Sequence, residues 1–236
     1  MPAPISIIIP TLNAEETLTR TLAPLVPGAV RGLVQEVIVV DGGSSDETLE
    51  IVEAAGAKLV RAPKGRGPQL AAGAKAAKGN WLLFLHADTV LEPGWIAEVE
   101  KFFEQIEAGR FRDGEMAASF RFALDDFSGW ARIIEKMVAL RCALMKLPYG
   151  DQGLLIHRTL YAASGGYRPI PLMEDLDLVE RIARHHRLRR LRCSLVTSNR
   201  RWQEQGVISR AWCNWRLRRR WQQGIAADQL AGDYDR

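Results

Sequence analysis

The sequence predicts an α/β fold built on a mostly parallel sheet flanked by helices. Three features of the chain lead there. Short continuous apolar runs alternate with amphipathic stretches from Ile5 to Asp88, each run ends in polar residues or glycines, and the connections between them are only a few residues long. Strand, helix and strand joined by short links make βαβ units, whose strands lie parallel. An apolar run without polar alternation is the mark of a strand covered on both faces.

The elements follow in order. Ile5 to Ile9 is a β-branched run stopped by Pro10. Asn13, with Glu16 three residues on, has the pattern of a helix cap. Glu36 to Val40 repeats the scheme: a buried strand ending at Asp41, a Gly42-Gly43 turn, then Ser44 and Glu47 opening a helix. Ala57 to Arg61 is a third strand. After it Lys64-Gly65-Arg66-Gly67 makes a turn, and Pro68 suits the first position of the next helix. Trp81 to Leu85 is a fourth strand, ending in His86-Ala87-Asp88. Beyond Asp88 the pattern changes. Strands are expected at Met116–Ala123, Gly153–His157 and Leu191–Thr197, with helices at Phe127–Leu147, Asp175–His186 and Val207–Gln223. No linker rich in Pro, Gly or Ser divides the chain. One domain over 1–236 is expected, with a nucleotide-binding half (1–90), an acceptor-side α/β half (91–205) and a basic helix and tail (206–236).

The 236 residues are 47% hydrophobic and 25% charged, ordinary for a soluble globular protein. No apolar run approaches the length of a membrane span, because Trp130 to Leu147 is broken by five charges. The N-terminus lacks the charged lead of a signal peptide. Cys142, Cys193 and Cys213 are scattered and fit a reducing, cytoplasmic setting. The net charge of +4 is unevenly spread, and Arg181 to Arg220 is dense in arginine. That density suits an anionic partner or a solvated basic face. In the last helix Ile208, Trp212 and Trp215 form a stripe beside several arginines. This suits peripheral contact with an anionic membrane at its inner face, and equally a helix docked on the core with snorkelling arginines. No nucleic-acid docking module is present, so nucleic acid is not an expected partner.

In parallel sheets, ligands bind beyond the carboxyl ends of the strands. Thr11 and Asn13, Asp41, Arg66 and Asp88 follow the first, second, third and fourth strands respectively, so they converge. Lys64 to Gln69 reads as a phosphate- or base-binding loop, in which glycines admit the ligand and Arg66 can pair with phosphate. Capping alone also explains Asn13, and an ordinary turn also explains the loop. Asp88, after a buried strand, either holds a divalent cation or only closes a turn.

The succession Pro10-Thr11-Leu12-Asn13, Val40-Asp41-Gly42-Gly43-Ser44-Ser45-Asp46 and Phe84-Leu85-His86-Ala87-Asp88 resembles the family 2 glycosyltransferases of GT-A fold. His86-Ala87-Asp88-Thr89 and Tyr149-Gly150-Asp151-Gln152-Gly153 are similar to the bacterial radical-SAM/selenodomain-associated subgroup. The resemblance continues through Met173-Glu174-Asp175 and Arg200-Arg201-Trp202. It implies a glycosyltransferase that moves a sugar from a nucleotide-diphosphate donor to an unidentified acceptor. Transfer would be metal-assisted through Mg²⁺ or Mn²⁺, inverting and non-processive. It also implies roles for particular residues. Pro10, Thr11, Asn13, Glu15, Asp41, Arg66, His86 and Asp88 would bind the donor nucleotide, with Asp88 the metal ligand. Asp175 would be the catalytic base, supported by Glu174. Asp151, Gln152, Arg201 and Trp202 would meet the donor sugar or acceptor. The chain departs from the family at His86, where an Asp-x-Asp motif has its first aspartate, and at Ser198, where processive relatives have glutamine. Two alternatives remain beside the transferase. One is a nucleotide-sugar-binding protein without activity, which His86 favours. The other is a nucleotidyltransferase, disfavoured because no glycine- and lysine-rich loop follows the first strand.

Overall fold

The computed structural model describes residues 4–110, 115–145, 150–186 and 188–198, with 213, 216–221, 223–225, 227 and 229–230. Among the described residues eight strands form one sheet in the order β3-β2-β1-β4-β7-β6-β8-β5. The first four are β1 (Ile5–Thr11), β2 (Val34–Asp41), β3 (Lys58–Arg61) and β4 (Trp81–Phe84), all mutually parallel as expected. The others are β5 (Thr89–Leu91), β6 (Ala117–Leu124), β7 (Leu154–His157) and β8 (Leu188–Thr197). β7 enters antiparallel between β4 and β6, β8 runs parallel to β6, and β5 closes the edge antiparallel to β8.

The unalternating isoleucines of β1 are explained by cover on both faces. Ile5, Ile7 and Ile9 join one core with Leu18 and Leu22 of α1 (Glu15–Leu22) and Trp95, Val99 and Phe102 of α5 (Trp95–Glu107). Ile8 points the other way, to Leu70 and Ala74 of α4 (Arg66–Ala76) and Leu178 and Ile182 of α8 (Glu174–Ala183). Further helices among the described residues are α2 (Val26–Val30), α3 (Thr48–Ala54), α6 (Gly129–Met145) and α7 (Arg158–Ala163).

Several expectations are corrected. β1 runs through Pro10 to Thr11. Pro10 costs no ladder bond, because Ile8 O accepts from Leu85 N on the β4 side. The register with β4 ends there, at Ile8 opposite Phe84. Two residues on, Pro10 therefore points past the end of β4. Asn13 does not cap α1. It lies at φ 51°, its Oδ1 accepts from Ser45 N at 2.9 Å, and Ala14 is the capping residue with no side-chain bond. Ser44 and Glu47 likewise give α3 no side-chain cap. Instead the two helix starts clasp each other. Ala14 N donates to Thr48 Oγ1, Glu15 N to Asp46 Oδ2, and Glu47 N to Glu15 Oε2. α4 begins at Arg66, ahead of Pro68. β5, α5 and α7 lie where no element was expected. The last helix, with Trp212 and Trp215, lies largely outside the described residues, although Arg216 to Trp221 are helical. Among the described residues no helix is long and apolar enough to cross a membrane.

Candidate active site

The carboxyl ends of β1 and β2 form the floor. Asp41, 3% exposed, is bound by its own turn. Its Oδ2 accepts from Gly43 N at 2.9 Å, and its Oδ1 accepts from the Ser44 hydroxyl at 2.5 Å. Gly43, at φ 99°, supplies the left-handed residue that the turn needs. The buried side chain of Gln69 reaches across from α4 and donates to both Thr11 O and Val40 O at 2.7 Å. It joins the ends of two strands where their ladder stops. Gln69 was not singled out as a site residue. Its signal was a lone amide in the otherwise apolar first turns after Gly67-Pro68.

His86 to Thr89 connect β4 to β5 in a tight turn. Thr89 closes it, donating from Oγ1 to His86 O at 2.8 Å. The turn therefore does not need Asp88, whose carboxylate has no hydrogen-bond or ion-pair partner among the described residues. Turn closure was the structural explanation of this aspartate, and the hydroxyl of Thr89 takes that task. Ser198 N donates to Asp88 O and pins the turn to the end of β8.

Two further segments come up to this turn. Gly150 N donates to Asp175 Oδ2 at 2.6 Å, so the short turn Gly150–Gln152 lies on the start of α8. A methyl on Gly150 would sit 2.8 Å from His86 Nε2 and 3.0 Å from Asp175 Oδ2, so His86, Gly150 and Asp175 are mutually adjacent. Asp151 is next in line, and its Oδ1 is buried without a hydrogen-bond partner. Burial pushes the Asp151 carboxyl up to about 6. The Arg141 guanidinium opposes this, the charges of Asp175 and Asp88 reinforce it, and Arg66 opposes it more weakly. Asp88, Asp151 and Asp175, from three separate segments, thus share one electrostatic environment with two arginines. Arg141 was missed by the sequence reading, which took it only as a charge interrupting an apolar run.

Glu174 opens α8 and is fully buried. Its Oε1 lies 3.0 Å from Arg66 Nε, yet neither carboxylate oxygen has a hydrogen-bond partner, so the pair is Coulombic and poorly aligned. Burial raises its carboxyl to about 7, with Arg66 opposing and Asp175 reinforcing. The start of α4 is pressed against the loop before α8. A methyl on Gly67 would overlap Arg168 O and lie 2.8 Å from Ile170 O. Met173, just before Glu174, is held at φ 66°, an unfavourable conformation for a non-glycine residue.

The structure thus gathers His86, Asp88, Asp151, Asp175, Glu174 and Arg66 on one side. Thr11 and Asp41 line the strand ends, and Gln152 is buried, its side chain against Cys142 Sγ at 3.4 Å. Asn13 and Glu15 sit at the rim, their side chains committed to Ser45 and Glu47. Arg201 and Trp202 lie outside the described residues. Among the described residues no group of three or more His, Cys, Asp or Glu side chains surrounds a single point. The carboxylate of Asp88 nonetheless fits a hard divalent ion of the Mg²⁺ type. Such ions are held by one or two carboxylates, with phosphate oxygens and water completing the shell.

Comparison with known proteins places the chain. Glucosyl-3-phosphoglycerate synthase of Mycolicibacterium smegmatis is 35% identical over 95 residues, 36% of this chain and 31% of that one. A PGL/p-HBAD biosynthesis glycosyltransferase of Mycobacterium bovis is 31% identical over 179 residues, 71% of this chain and 64% of that one. The chain therefore spans about a third of the first relative's length, and under two thirds of the second's. Among solved structures, S. aureus TarS 1–349 superposes with a TM-score of 0.62 at 19% identity, over 83% of this chain and 60% of that one. Glucosyl-3-phosphoglycerate synthase from Mycobacterium tuberculosis, in complex with Mn²⁺, uridine diphosphate and phosphoglyceric acid, gives 0.59 at 22% identity, over 88% and 75%. At these identities the likeness establishes the fold, which is the GT-A type expected from the sequence. The model of Glycosyl transferase family 2 matches residues 6–137, from β1 into α6 and more than half of the sequence, and the chain belongs to that family.

Proposed function

We propose that this protein transfers a sugar from a nucleoside-diphosphate donor, a uridine diphosphate sugar, to an acceptor hydroxyl, with inversion and one sugar per encounter. One observation carries most of the weight. Asp88, not needed by its own turn, shares the surroundings of Asp151 with Asp175, the candidate base. A site for leaving-group charge and a proton acceptor on a separate element is what inverting transfer requires.

The nucleoside would lie across the ends of β1 and β2, over Pro10, Thr11 and Asp41, with Asn13 and Glu15 at the rim. Arg66 and the start of α4 would meet the diphosphate, and His86 the ribose or nucleotide. Asp88 would hold Mg²⁺ or Mn²⁺, which neutralises charge on the departing diphosphate. Neighbouring structures that contain uridine diphosphate with Mn²⁺ or Mg²⁺ support this choice. As the acceptor oxygen bonds to the anomeric carbon, the carbon–oxygen bond to phosphate breaks. Asp175 takes the acceptor proton. The Gly150 N–H fixes Oδ2 and the Leu176 N–H fixes Oδ1, and each oxygen keeps a further lone pair for that task. Glu174 holds Arg66 in place. Asp151 and Gln152 would bind sugar or acceptor hydroxyls, with Arg201 and Trp202 closing over them, and Ser198 speaks for a single transfer. We read 1–236 as one domain, acting in a reducing, cytoplasmic setting. The narrower subgroup placement rests only on the His86–Thr89 and Tyr149–Gly153 stretches.

Release of uridine diphosphate from uridine diphosphate sugars, with acceptor candidates added, tests the proposal. Metal-dependent turnover that falls about 10²–10⁴-fold in Asp175→Asn, with donor binding kept, is expected. Tight donor binding without turnover on any donor and acceptor pair would favour the non-catalytic alternative.

A further inference from the structure

Helix α6 has two apolar faces, and one of them is packed. Ala131, Ile134 and Val138 close onto Phe122 and Leu124 of β6. On another side Trp130, Ile133, Met137 and Leu140 are between 47% and 63% exposed, and Phe127, just ahead of the helix, is 99% exposed. Spacings of three, four and three residues put these four side chains in a single stripe along the helix. A continuous row of large apolar groups on a surface marks a place where something docks.

The charges beside the stripe say what. Arg132 and Lys136 flank it on the solvent side, and Arg141 stands near its far end. Arg190 comes from β8 to donate to Ala139 O. The single acid of the helix, Glu135, is already engaged, accepting from Leu124 N and pairing with Arg132 at 2.8 Å. Asp125, at the near end, is paired with Arg20. Joining this face to a second copy would set the cations beside the stripe, Lys136 foremost, against like charges of the other chain, with no unengaged carboxylate on the helix between them. Aromatic and aliphatic side chains flanked by cations match the headgroup region of a bilayer carrying negative lipid.

We propose that this face of α6 docks on an anionic lipid bilayer. The tryptophan helix near the C-terminus, where membrane contact was expected from the sequence, is not required for it. The far end of α6 leads into the candidate active site, through Cys142 against Gln152 and the charge of Arg141 on Asp151. Docking therefore brings that site close to the lipid surface. The consequence that the acceptor hydroxyl belongs to a membrane-borne molecule rests on the transferase proposal, but the docking itself does not.

Flotation of the whole chain with phosphatidylcholine vesicles, with and without phosphatidylglycerol, decides the matter. The wild type is expected to float with the anionic vesicles and to stay down with the neutral ones. Met137→Glu, an exposed position whose change leaves the fold intact by circular dichroism, is expected to lose at least about tenfold in vesicle affinity, while uridine diphosphate binding stays at the wild-type value. Lys136→Glu should weaken flotation in the same direction. The proposal is overturned if the wild type never floats, or if Met137→Glu floats like the wild type while Trp212→Glu does not. A wild-type dimer in lipid-free sedimentation that Met137→Glu dissociates would also overturn it, since a second copy would then cover the face.

Discussion

Asp175 and Glu174 are adjacent in sequence and differ in every physical respect. Asp175 is partly open and takes a backbone hydrogen bond from Gly150, whereas Glu174 is sealed and faces Arg66. Gly150→Ala would force a methyl between His86 and Asp175, and is expected to lower kcat at least tenfold while leaving the melting temperature nearly unchanged. Equal losses of kcat and stability would show a merely structural role for the glycine. Glu174 makes a separate prediction about pH. Its carboxyl is raised in the fold, so the unfolded chain releases that proton first. Stability from the protonated form is full below the unfolded value and is lost as pH climbs to about 7. Relative to wild type, Glu174→Gln should therefore become more stable between pH 5 and pH 7.5. Thermal unfolding at both pH values checks this, and a relative loss at the higher pH would contradict it. Only family resemblance singled out the Glu174-Asp175 pair as a proposed base and its support, because nothing local separates a base from a helix-end carboxylate. The importance of Arg141 was not legible, since it depends on a long-range fold that brings α6 to Asp151.

At the scale of elements, the first four strands were readable to within a residue or two. The β-branched, buried runs of β1 and the end of β2 leave little ambiguity, and β4 is a fully buried apolar run, whereas β3 is mostly exposed and was read from its place between two turns. The caps failed for an instructive reason. Asn-x-x-Glu and Ser-x-x-Glu satisfy the local capping pattern, but the Asn13 and Ser44 side chains accept from Ser45 N and Asn13 N in the segment ahead of the other helix, 32 and 31 residues away in sequence. α5 could have been found, since Trp95, Val99, Phe102 and Ile106 keep helical spacing after Gly94, which lies at φ 94°. α4 packs closely on the sheet because Gly73 lacks a side chain. A Cβ there would overlap Ile8 and lie 2.9 Å from Val40 Cγ2. Gly73→Val is accordingly expected to cost about 1–3 kcal/mol in denaturant unfolding. A neutral result would mean that α4 can lift from the sheet without consequence.

At the scale of the whole molecule, half of the sheet order was hidden from the sequence. Parallel neighbours follow from short crossovers, but the insertion of β7 between β4 and β6 is a pairing between segments some seventy residues apart. No local pattern encodes it. That insertion nevertheless makes the site, because β7 follows directly on the Gly150–Gln152 turn and carries Asp151 to the end of β4. The proposed nucleotide floor and the proposed catalytic segment thus belong to one sheet, and a ligand that bridges them should stabilise both together. Saturating uridine diphosphate with Mn²⁺ is expected to raise the melting temperature of the wild type, and to raise it less in Asp88→Ala. Calorimetric titration of nucleoside diphosphates into the wild type and Asp88→Ala, with and without Mn²⁺, tests the donor site most directly. Metal-dependent binding of uridine diphosphate that is lost in Asp88→Ala is the predicted result. Folded wild-type protein that binds no nucleoside diphosphate, with metal or without, would contradict it.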